Sequence, residues 1–244
     1  MIAAAPFDRV AERYDADFTS TQLGRLLRRR VWRHLQFEQG QHVLELGCGT
    51  GEDALWLASR GVRVLATDVS EGMLAQARLK AGANPLVEFE RQDANSLSVS
   101  GTFDGAVADF GVLNCVADLR HFGEQLAAVL RPGARTVAVV MPPFCLWETM
   151  WYLLHFDTTR AIRRWRACVA MVNGAQLPVW YPSARELQRQ VQPWFAARHV
   201  EGLGALLPPP KVSRRAPEWL GKLDERAPLG YLWADHYIAV LERR

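Results

Sequence analysis

Cysteine is scarce and scattered. Cys48, Cys115, Cys145 and Cys168 form no C-x-x-C pair. That argues against a zinc site and against a disulfide framework in a chain this long, and it fits a reducing cytoplasm. No apolar run approaches the roughly 18 residues of a membrane-spanning helix. The start, Met1-Ile2-Ala3-Ala4-Ala5-Pro6, has no basic residue and is too short for a signal peptide. Net charge is small: 29 Lys and Arg against 26 Asp and Glu leave +3 over 244 residues. By itself that points to neither nucleic acid nor a membrane. Internal repeats and low-complexity segments are missing too. What is present is a globular balance, 49% hydrophobic and 23% charged. It suits one large domain with insertions.

The most informative stretch is Val43-Leu44-Glu45-Leu46-Gly47-Cys48-Gly49-Thr50-Gly51-Glu52-Asp53. An apolar run ends in an acid, glycine falls at every second position, and an amphipathic segment follows. This predicts a buried strand, a tight turn and a helix start. One glycine would serve a plain turn. Three at fixed spacing behind Glu45 favour a ligand laid on the main chain. A phosphate P-loop is excluded, because no Gly-Lys-Ser/Thr closes the stretch. The dinucleotide fingerprint G-x-G-x-x-G needs a glycine where Glu52 stands. The acidic surroundings suit a cationic ligand better than a pyrophosphate.

Upstream, Leu23, Leu26, Leu27, Val31 and Leu35 make one apolar helical stripe. Arg25, Arg28, Arg29, Arg30 and Arg33 lie mostly off it, as a solvated face or one turned to an anionic membrane or acidic partner. Downstream, strands and helices alternate. Residues 62–68 read as a second strand with Asp68 at its carboxyl end, placed to accept from ribose hydroxyls and expected to contribute little packing. Ser70 caps a helix bearing Met73, Leu74, Ala77 and Leu79. A third strand over 87–91 precedes Gln92-Asp93-Ala94. A fourth over 103–108 runs into Asp109-Phe110-Gly111-Val112-Leu113-Asn114-Cys115. A helix with Leu119, Phe122, Leu126 and Leu130 closes at Pro132-Gly133, and a fifth strand covers 136–140. This rhythm predicts an open, mostly parallel sheet covered on both faces, with the ligand across the strand carboxyl ends.

The pattern from Glu45 to Gly51 resembles motif I of class I S-adenosylmethionine-dependent methyltransferases. Phe7-Asp8-Arg9-Val10-Ala11-Glu12-Arg13-Tyr14-Asp15 resembles the F-D-x-x-A-x-x-Y-D opening of small-molecule members. The resemblance covers residues 7–141 well and the remainder poorly. It implies a Rossmann-like α/β fold: a seven-stranded, mostly parallel sheet, helices on both faces, and a helical insertion between strands 5 and 6. It also implies S-adenosylmethionine as cofactor and S-adenosylhomocysteine as product. Carried over residue by residue, the cofactor set is Tyr14, Glu45, Gly47, Cys48, Gly49, Gly51, Asp68, Val69, Met73, Asp93, Ala94, Asp109, Phe110 and Gly111. Tyr14 would sit in a cap near the methionine end, Asp68 would be the motif II acid, and Asp93 would meet the adenine amino group. Simple packing for Tyr14 and a turn role for Asp93 stay open. The loop after the fourth strand lacks the Asn/Asp-Pro-Pro-Tyr of enzymes that methylate amino groups in nucleic acid or glutamine side chains. Ala134 replaces the second glycine of the family's L-x-P-G-G. Cys115 lacks the framing prolines of a catalytic cysteine and reads as packing. Two alternatives stand beside this reading: an NAD(P)-dependent oxidoreductase, disfavoured by Glu45 and Glu52, and a non-catalytic S-adenosylmethionine-binding module.

The expected division within one domain is a helical cap (1–40), a cofactor-binding core (41–141), a helical substrate cover (142–197), and C-terminal strands with a helical excursion (198–244). In the cover, residues 146–156 are apolar nearly all round and should be buried or line a pocket. A second helix should begin at Thr159, turn Ile162, Trp165, Val169 and Val172 inward, and end at Asn173-Gly174. Ser183 should cap a third. A strand over 200–207, a Pro208-Pro209-Pro210 loop, an amphipathic segment with Trp219, Leu220 and Leu223, and an antiparallel edge strand over 236–241 complete the chain. The aromatic cover suits a small, mostly apolar or lipid-like acceptor, methylated by direct in-line displacement. Asn114, Trp147, Tyr152 and His155 are the expected acceptor contacts. His155, Tyr152 and Glu148 are nominated for a base, alongside His121 and His236. No metal and no nucleic acid is expected. The cysteine pattern leads to an expected cytoplasmic location, and the arginine-rich faces add, as a weaker corollary, peripheral contact at the inner face of a membrane. Oligomeric state is not legible.

Overall fold

The computed structural model describes residues 5–165, 168–172, 174–208, 215–227 and 229–244. Residues 1–4, Arg166, Asn173 and Pro209-Pro210, on which parts of the sequence reading fall, lie outside them.

Strand β1 (His42–Leu46) shows why the fold organises around it. Val43, Leu44 and Leu46 are wholly buried, as a continuous apolar run demands when both faces of a sheet are covered. Val43 belongs to the core on one face, and Leu44 and Leu46 to the core on the other. β1 pairs in parallel with β2 (Arg63–Asp68) and β4 (Phe103–Ala108). β3 (Val87–Arg91) joins outside β2, and β5 (Leu130–Val140) outside β4. The seven-stranded sheet is completed by β8 (Phe195–Leu203) and β9 (His236–Arg243), in the order β3-β2-β1-β4-β5-β9-β8.

β9 is antiparallel to both its neighbours, β5 and β8, and lies inside the sheet rather than at its edge. This corrects the sequence reading, and the residues explain it. Tyr237, Ile238, Ala239, Val240 and Leu241 are all buried. An unbroken apolar run belongs to an interior strand, whereas edges carry short or charged segments. β8 starts earlier than expected and ends before Gly204, which adopts φ +78°.

The helices cover both faces. Helix α1 is one turn (Ala11–Tyr14), and α2 (Gln22–Trp32) is capped by the Thr21 hydroxyl, which accepts from the Gly24 N–H. α3 (Glu52–Ala58) begins at Gly51, α4 (Glu71–Ala81) is capped by Ser70, and α5 (Leu119–Val129) by Asp118. The α2 stripe is buried as expected, but Arg28 and Arg30 are buried with it. Arg30 bonds Asp224 of α9 (Glu218–Asp224), Glu201 at 3.1 Å and the Gly202 carbonyl at 2.7 Å. A helix face that reads as solvated is therefore half interior, because acids far along the chain fold back onto it. Leu79, by contrast, is exposed.

The insertion between β5 and β8 is only partly helical. It contains α6 (Leu146–Leu154), α7 (Thr158–Ala161), a 3-10 turn (Arg163–Trp165), an antiparallel hairpin of β6 (Cys168–Val172) and β7 (Ala175–Val179), and α8 (Ala184–Val191). The hairpin replaces the longer helix expected from Thr159. An Asn-Gly pair between two short, mostly apolar runs is a hairpin signal, and it outweighs the accidental helical spacing of Ile162, Trp165, Val169 and Val172. α6 also differs from expectation: Leu146, Trp147, Met150, Trp151, Leu153 and Leu154 are exposed, and Glu148 is the residue it buries. Glu148 bonds Arg163, and it meets Arg164 at 2.6 Å. Arg164 also bonds the Asp235 carboxylate at 2.6 Å and its carbonyl at 2.9 Å. This buried network ties the cover to the start of β9.

Candidate active site

A cavity of roughly 340 Å³ opens at the carboxyl ends of β1, β2 and β4. That is where a doubly wound sheet leaves a crevice. Its floor is the glycine loop. Gly47 has φ +62°, and a Cβ there would come within 2.3 Å of Val112, so glycine lets the loop after β4 close in. Gly49 has φ +54°, and a Cβ would meet only Tyr14 at 4.0 Å, so its bare backbone faces the open space.

Asp68, at the end of β2, accepts from the N–H of Gly49 at 2.9 Å and of Ser70 at 2.8 Å. It therefore holds the glycine loop as well as lining the cavity, which makes it more structural than its sequence position suggests. Asp93 accepts from the N–H and side-chain amide of Asn95, forming a turn. Only its Oδ1 is used in those bonds, and it lines the cavity.

The opening segment reaches over the loop. Asp8 accepts from the Ser70 hydroxyl at 2.6 Å and from Gly72 N–H at 3.1 Å. Asp15 accepts from Thr50 at 2.6 Å and pairs with Lys80 at 2.6 Å. Burial opposes ionisation of Asp15, but the bonds from Lys80 and Thr50 outweigh it and hold the carboxyl below its ordinary value. These contacts put Tyr14 on the cavity wall, packed on Phe18, which meets the edge of Phe110.

Behind the floor sits an unbalanced charge cluster. Arg28 bonds Asp53 and lies 4.9 Å over the Phe110 ring. Asp53 also accepts from the Trp32 indole N–H at 2.6 Å. Asp109 and Glu45 are 6% and 2% exposed, yet both Asp109 oxygens and Glu45 Oε2 have no hydrogen-bond partner. Burial first, and then Asp53, push both carboxyls well above their ordinary range. Burial opposes the charge on Arg28, but Asp53 overrides it and raises that group. Unpartnered buried carboxyls are costly. A cationic ligand entering from the cavity would relieve that cost.

Of the expected cofactor residues, Tyr14, Gly47, Cys48, Gly49, Asp68, Val69, Met73, Asp93, Ala94, Asp109, Phe110 and Gly111 line the cavity. Glu45 stands behind the floor. Gly51 is a turn residue at φ +79°, packed on Ala77, and does not reach the space. The expected acceptor contacts are not brought there. Trp147 and Tyr152 sit on α6 away from the cavity, and His155 Nδ1 lies 2.8 Å from the Trp151 carbonyl. Glu148 is engaged by Arg163 and Arg164. Asn114 is fully buried and works as a clamp: its amide donates to the carbonyls of Met141 at 3.0 Å and Trp180 at 2.7 Å, and its Oδ1 accepts from Met141 N–H at 2.9 Å.

The cover's contribution comes instead from Ala170, Val172, Leu177 and Val179 of the hairpin, with Arg163 and Tyr181. Sequence reasoning missed these and Arg28. Arg28 stands three residues before Val31 and seven before Leu35, on the flank of the apolar stripe, and that was the available signal. Cys115 lines the cavity, but burial pushes its thiol up to about 11, which suits packing better than nucleophilic attack. Among the described residues, one group could bring three metal-ligating atoms within 4.8 Å of one another: His34, His199 and Glu201. It lies off the cavity, and Glu201 is already paired with Arg30.

The arrangement fits S-adenosylmethionine. Buried orphan carboxyls suit its cationic centres, and the Gly47–Gly49 backbone leaves room for a ligand on the main chain. Comparison with known proteins agrees. Residues 43–133 match the model of a methyltransferase domain family. The demethylmenaquinone methyltransferase of Beutenbergia cavernae is 36% identical over 165 residues, covering 65% of this chain and 67% of the relative. That of Mycolicibacterium gilvum is 39% identical over 137 residues, covering 55% of this chain and 58% of the relative. The chain thus spans between somewhat over half and two thirds of these relatives' lengths. The crystal structure of an S-adenosylmethionine-dependent methyltransferase from Mesorhizobium loti superposes with a TM-score of 0.62 at 21% identity, covering 90% of this chain and 98% of that one, a likeness of fold. Glycine loop, sheet order and relatives converge: this chain belongs to the class I S-adenosylmethionine-dependent methyltransferases.

Proposed function

We propose that the chain methylates a small, mostly apolar acceptor of quinol or lipid-like type. The observation that carries this is the cover wall. Ala170, Val172, Leu177 and Val179 present hydrocarbon to the cavity, and the polar groups beside them are Arg163 and Tyr181. An enclosed apolar wall holds a greasy ring or chain and excludes water. The relatives named demethylmenaquinone methyltransferases support an acceptor of this kind.

S-adenosylmethionine, when bound, supplies an electrophilic methyl group on a sulfonium. The residues that would hold it are the Gly47–Gly49 backbone, Asp68, Asp93 and Asp109, with Tyr14 above and Arg28 behind. Asp109 and Glu45, which burial holds toward their neutral forms, would ionise more readily beside a cationic ligand, because no protein cation pairs with them directly. The remaining work is positioning, which can remove about 7–11 kcal/mol of barrier.

No expected base reaches the cavity. The Arg163 guanidinium does, steered by Glu148. It favours the ionised form of an acidic hydroxyl, so a phenol or enol acceptor would lose its proton to water more readily there. The same reading includes contact with a membrane, from which such an acceptor would be drawn.

The test is a turnover assay with a panel of acceptors alongside S-adenosylhomocysteine calorimetry. Hydroquinones and other apolar hydroxyl compounds should be methylated in preference to polar amines. Tight S-adenosylhomocysteine binding with faster methylation of polar acceptors would sink the acceptor assignment and leave the cofactor half standing.

A further inference from the structure

At the outer edge of the sheet, off the cavity, three ligating side chains meet. His34 stands just beyond the end of α2, and His199 and Glu201 stand on the edge strand β8. His34 Nε2 lies 3.4 Å from Glu201 Oε1, and His199 Nε2 lies 3.3 Å from Glu201 Oε2. The two imidazoles stack with ring centres 5.3 Å apart. None of the three lines the cavity, so methyl transfer does not account for them.

A β-bulge brings them together. Residues paired across two strands share a face of the sheet. Ala197 pairs with Leu241, which belongs to the core on one face. His199 pairs with Val240 and Glu201 with Ile238, and both partners belong to the core on the other face, where α2 packs. Plain alternation would put residues 197, 199 and 201 on a single face. The register shift between Ala197 and His199 leaves Arg198 as the extra residue, and it turns His199 and Glu201 over to α2. Bulges recur where a strand re-aims a side chain.

Charge and spacing say what the trio takes. Arg30 reaches Glu201 Oε1 at 3.1 Å, but its charge is already matched by Asp224, so the Glu201 carboxylate still has a negative charge to offer. Oε2 is left to His199. Arg33 and Arg198 are paired with Glu225 at 2.8 Å and Glu242 at 2.6 Å. Two imidazoles and one carboxylate are a donor set for a borderline divalent cation, Zn²⁺ above all. Bonds of about 2.0–2.2 Å set tetrahedrally place neighbouring ligand atoms about 3.3–3.6 Å apart. Both nitrogen–oxygen separations already match. The three atoms lie within 4.8 Å of one another, and the half-exposed His199 side chain has room to turn its nitrogen in. The end of α2 adds a dipole that favours a cation. One imidazole would serve a plain ion pair with Glu201, whereas a shared ligand explains why the bulge delivers a second.

We propose that His34, His199 and Glu201 bind one Zn²⁺ ion, with water completing its coordination, and that the ion ties the end of α2 to the edge of the sheet.

The test uses the full chain freed of metal by a chelator. Calorimetric titration with zinc chloride should show one ion per chain, and His34→Ala and His199→Ala should each weaken binding at least about tenfold. With free Zn²⁺ at about a hundred times its Kd, the wild-type Tm should rise by about 5–10 °C, and each variant should shift by no more than about half as much. Magnesium chloride at the same concentration should leave Tm unchanged, because that cation wants oxygen ligands. S-adenosylhomocysteine affinity should be equal in all three proteins, which shows that the variants are folded. Absence of one-to-one zinc binding overturns the proposal. So does full zinc affinity, or a full Tm shift, in either variant, since the ion would then lie elsewhere on the chain.

Discussion

The core around β1 and the cover between β5 and β8 are held in different ways. In the core, Leu44, Leu57, Leu74 and Val107 are wholly buried, and the two faces of the sheet each pack their own cluster. In the cover, α6 leaves most of its apolar side chains in solvent and buries a glutamate. The core coheres through hydrocarbon. The part of the cover before α8 is fastened by ions and one amide, Glu148, Arg163, Arg164 and Asp235 on one side and Asn114 on the other, whereas α8 itself packs Leu187 and Val191 into the core. Apolar packing is tolerant and non-directional, whereas a buried ion network fails when one member goes. The cover should therefore be separable from the core by single substitutions, and the core should not be.

Arg164→Met gives the largest effect. It leaves Glu148 and Asp235 buried without their shared cation, and should cost about 3–5 kcal/mol in urea unfolding. Proteolysis should start within the cover and acceptor turnover should fall, while S-adenosylhomocysteine affinity in the folded fraction stays within about threefold. Equal loss of cofactor affinity would break the comparison, because cover and core would then be one unit.

Next is Asp68→Ala, a core substitution. Cofactor affinity should weaken by about 1.5–3 kcal/mol, and, because Gly49 loses its acceptor, stability without ligand should fall by about 1 kcal/mol. Unchanged thermal stability would mean that the Asp68–Gly49 bond contributes nothing to the loop.

A smaller effect concerns pH. Burial opposes ionisation of Glu201, but His34, Arg30 and His199 together bring it down to about 2, from an ordinary 4.5. A depressed folded value means the stabilisation is full above about pH 4.5 and is lost as pH falls toward 2. Partial exposure limits it to about 1–2 kcal/mol. Between pH 6 and pH 3 wild type should lose somewhat over half of that, about 0.5–1 kcal/mol more than Glu201→Gln, read by urea midpoints at about those pH values.

The smallest effect is expected for Trp147→Ala and Tyr152→Ala. Both sit off the cavity, so turnover of a soluble acceptor should stay within about twofold. A large turnover loss in either would return α6 to the acceptor site.

The core was legible because its signals are local and repeated. Glycines at every second position, Asp68 at a strand end and Ser70 before a helix each dictate backbone geometry within a few residues, and most of the residues they named line the cavity. The cover was legible in composition only. Trp147, Tyr152 and His155 were nominated for being aromatic or titratable in an apolar helix, but nothing in the sequence says which side of a nearly all-apolar helix turns inward. The hairpin was hidden by a chance helical spacing. Arg28 was hidden because its partner Asp53 is distant in sequence, and Asn114 because its clamp on Trp180 is a tertiary contact. Long-range pairing of polar groups is what the sequence carries least openly.

The interior position of β9 has a consequence for biogenesis. β5 takes β4 on one side and β9 on the other, and all of the cover and β8 are synthesised between them. Until β9 emerges, the apolar stretch Val137-Ala138-Val139-Val140 presents an unpaired edge, of the kind that recruits other chains. A nascent chain halted before His236 should therefore aggregate although its glycine loop is complete. Release from a stalled ribosome at that length, followed by sedimentation, would measure how long this protein depends on a chaperone.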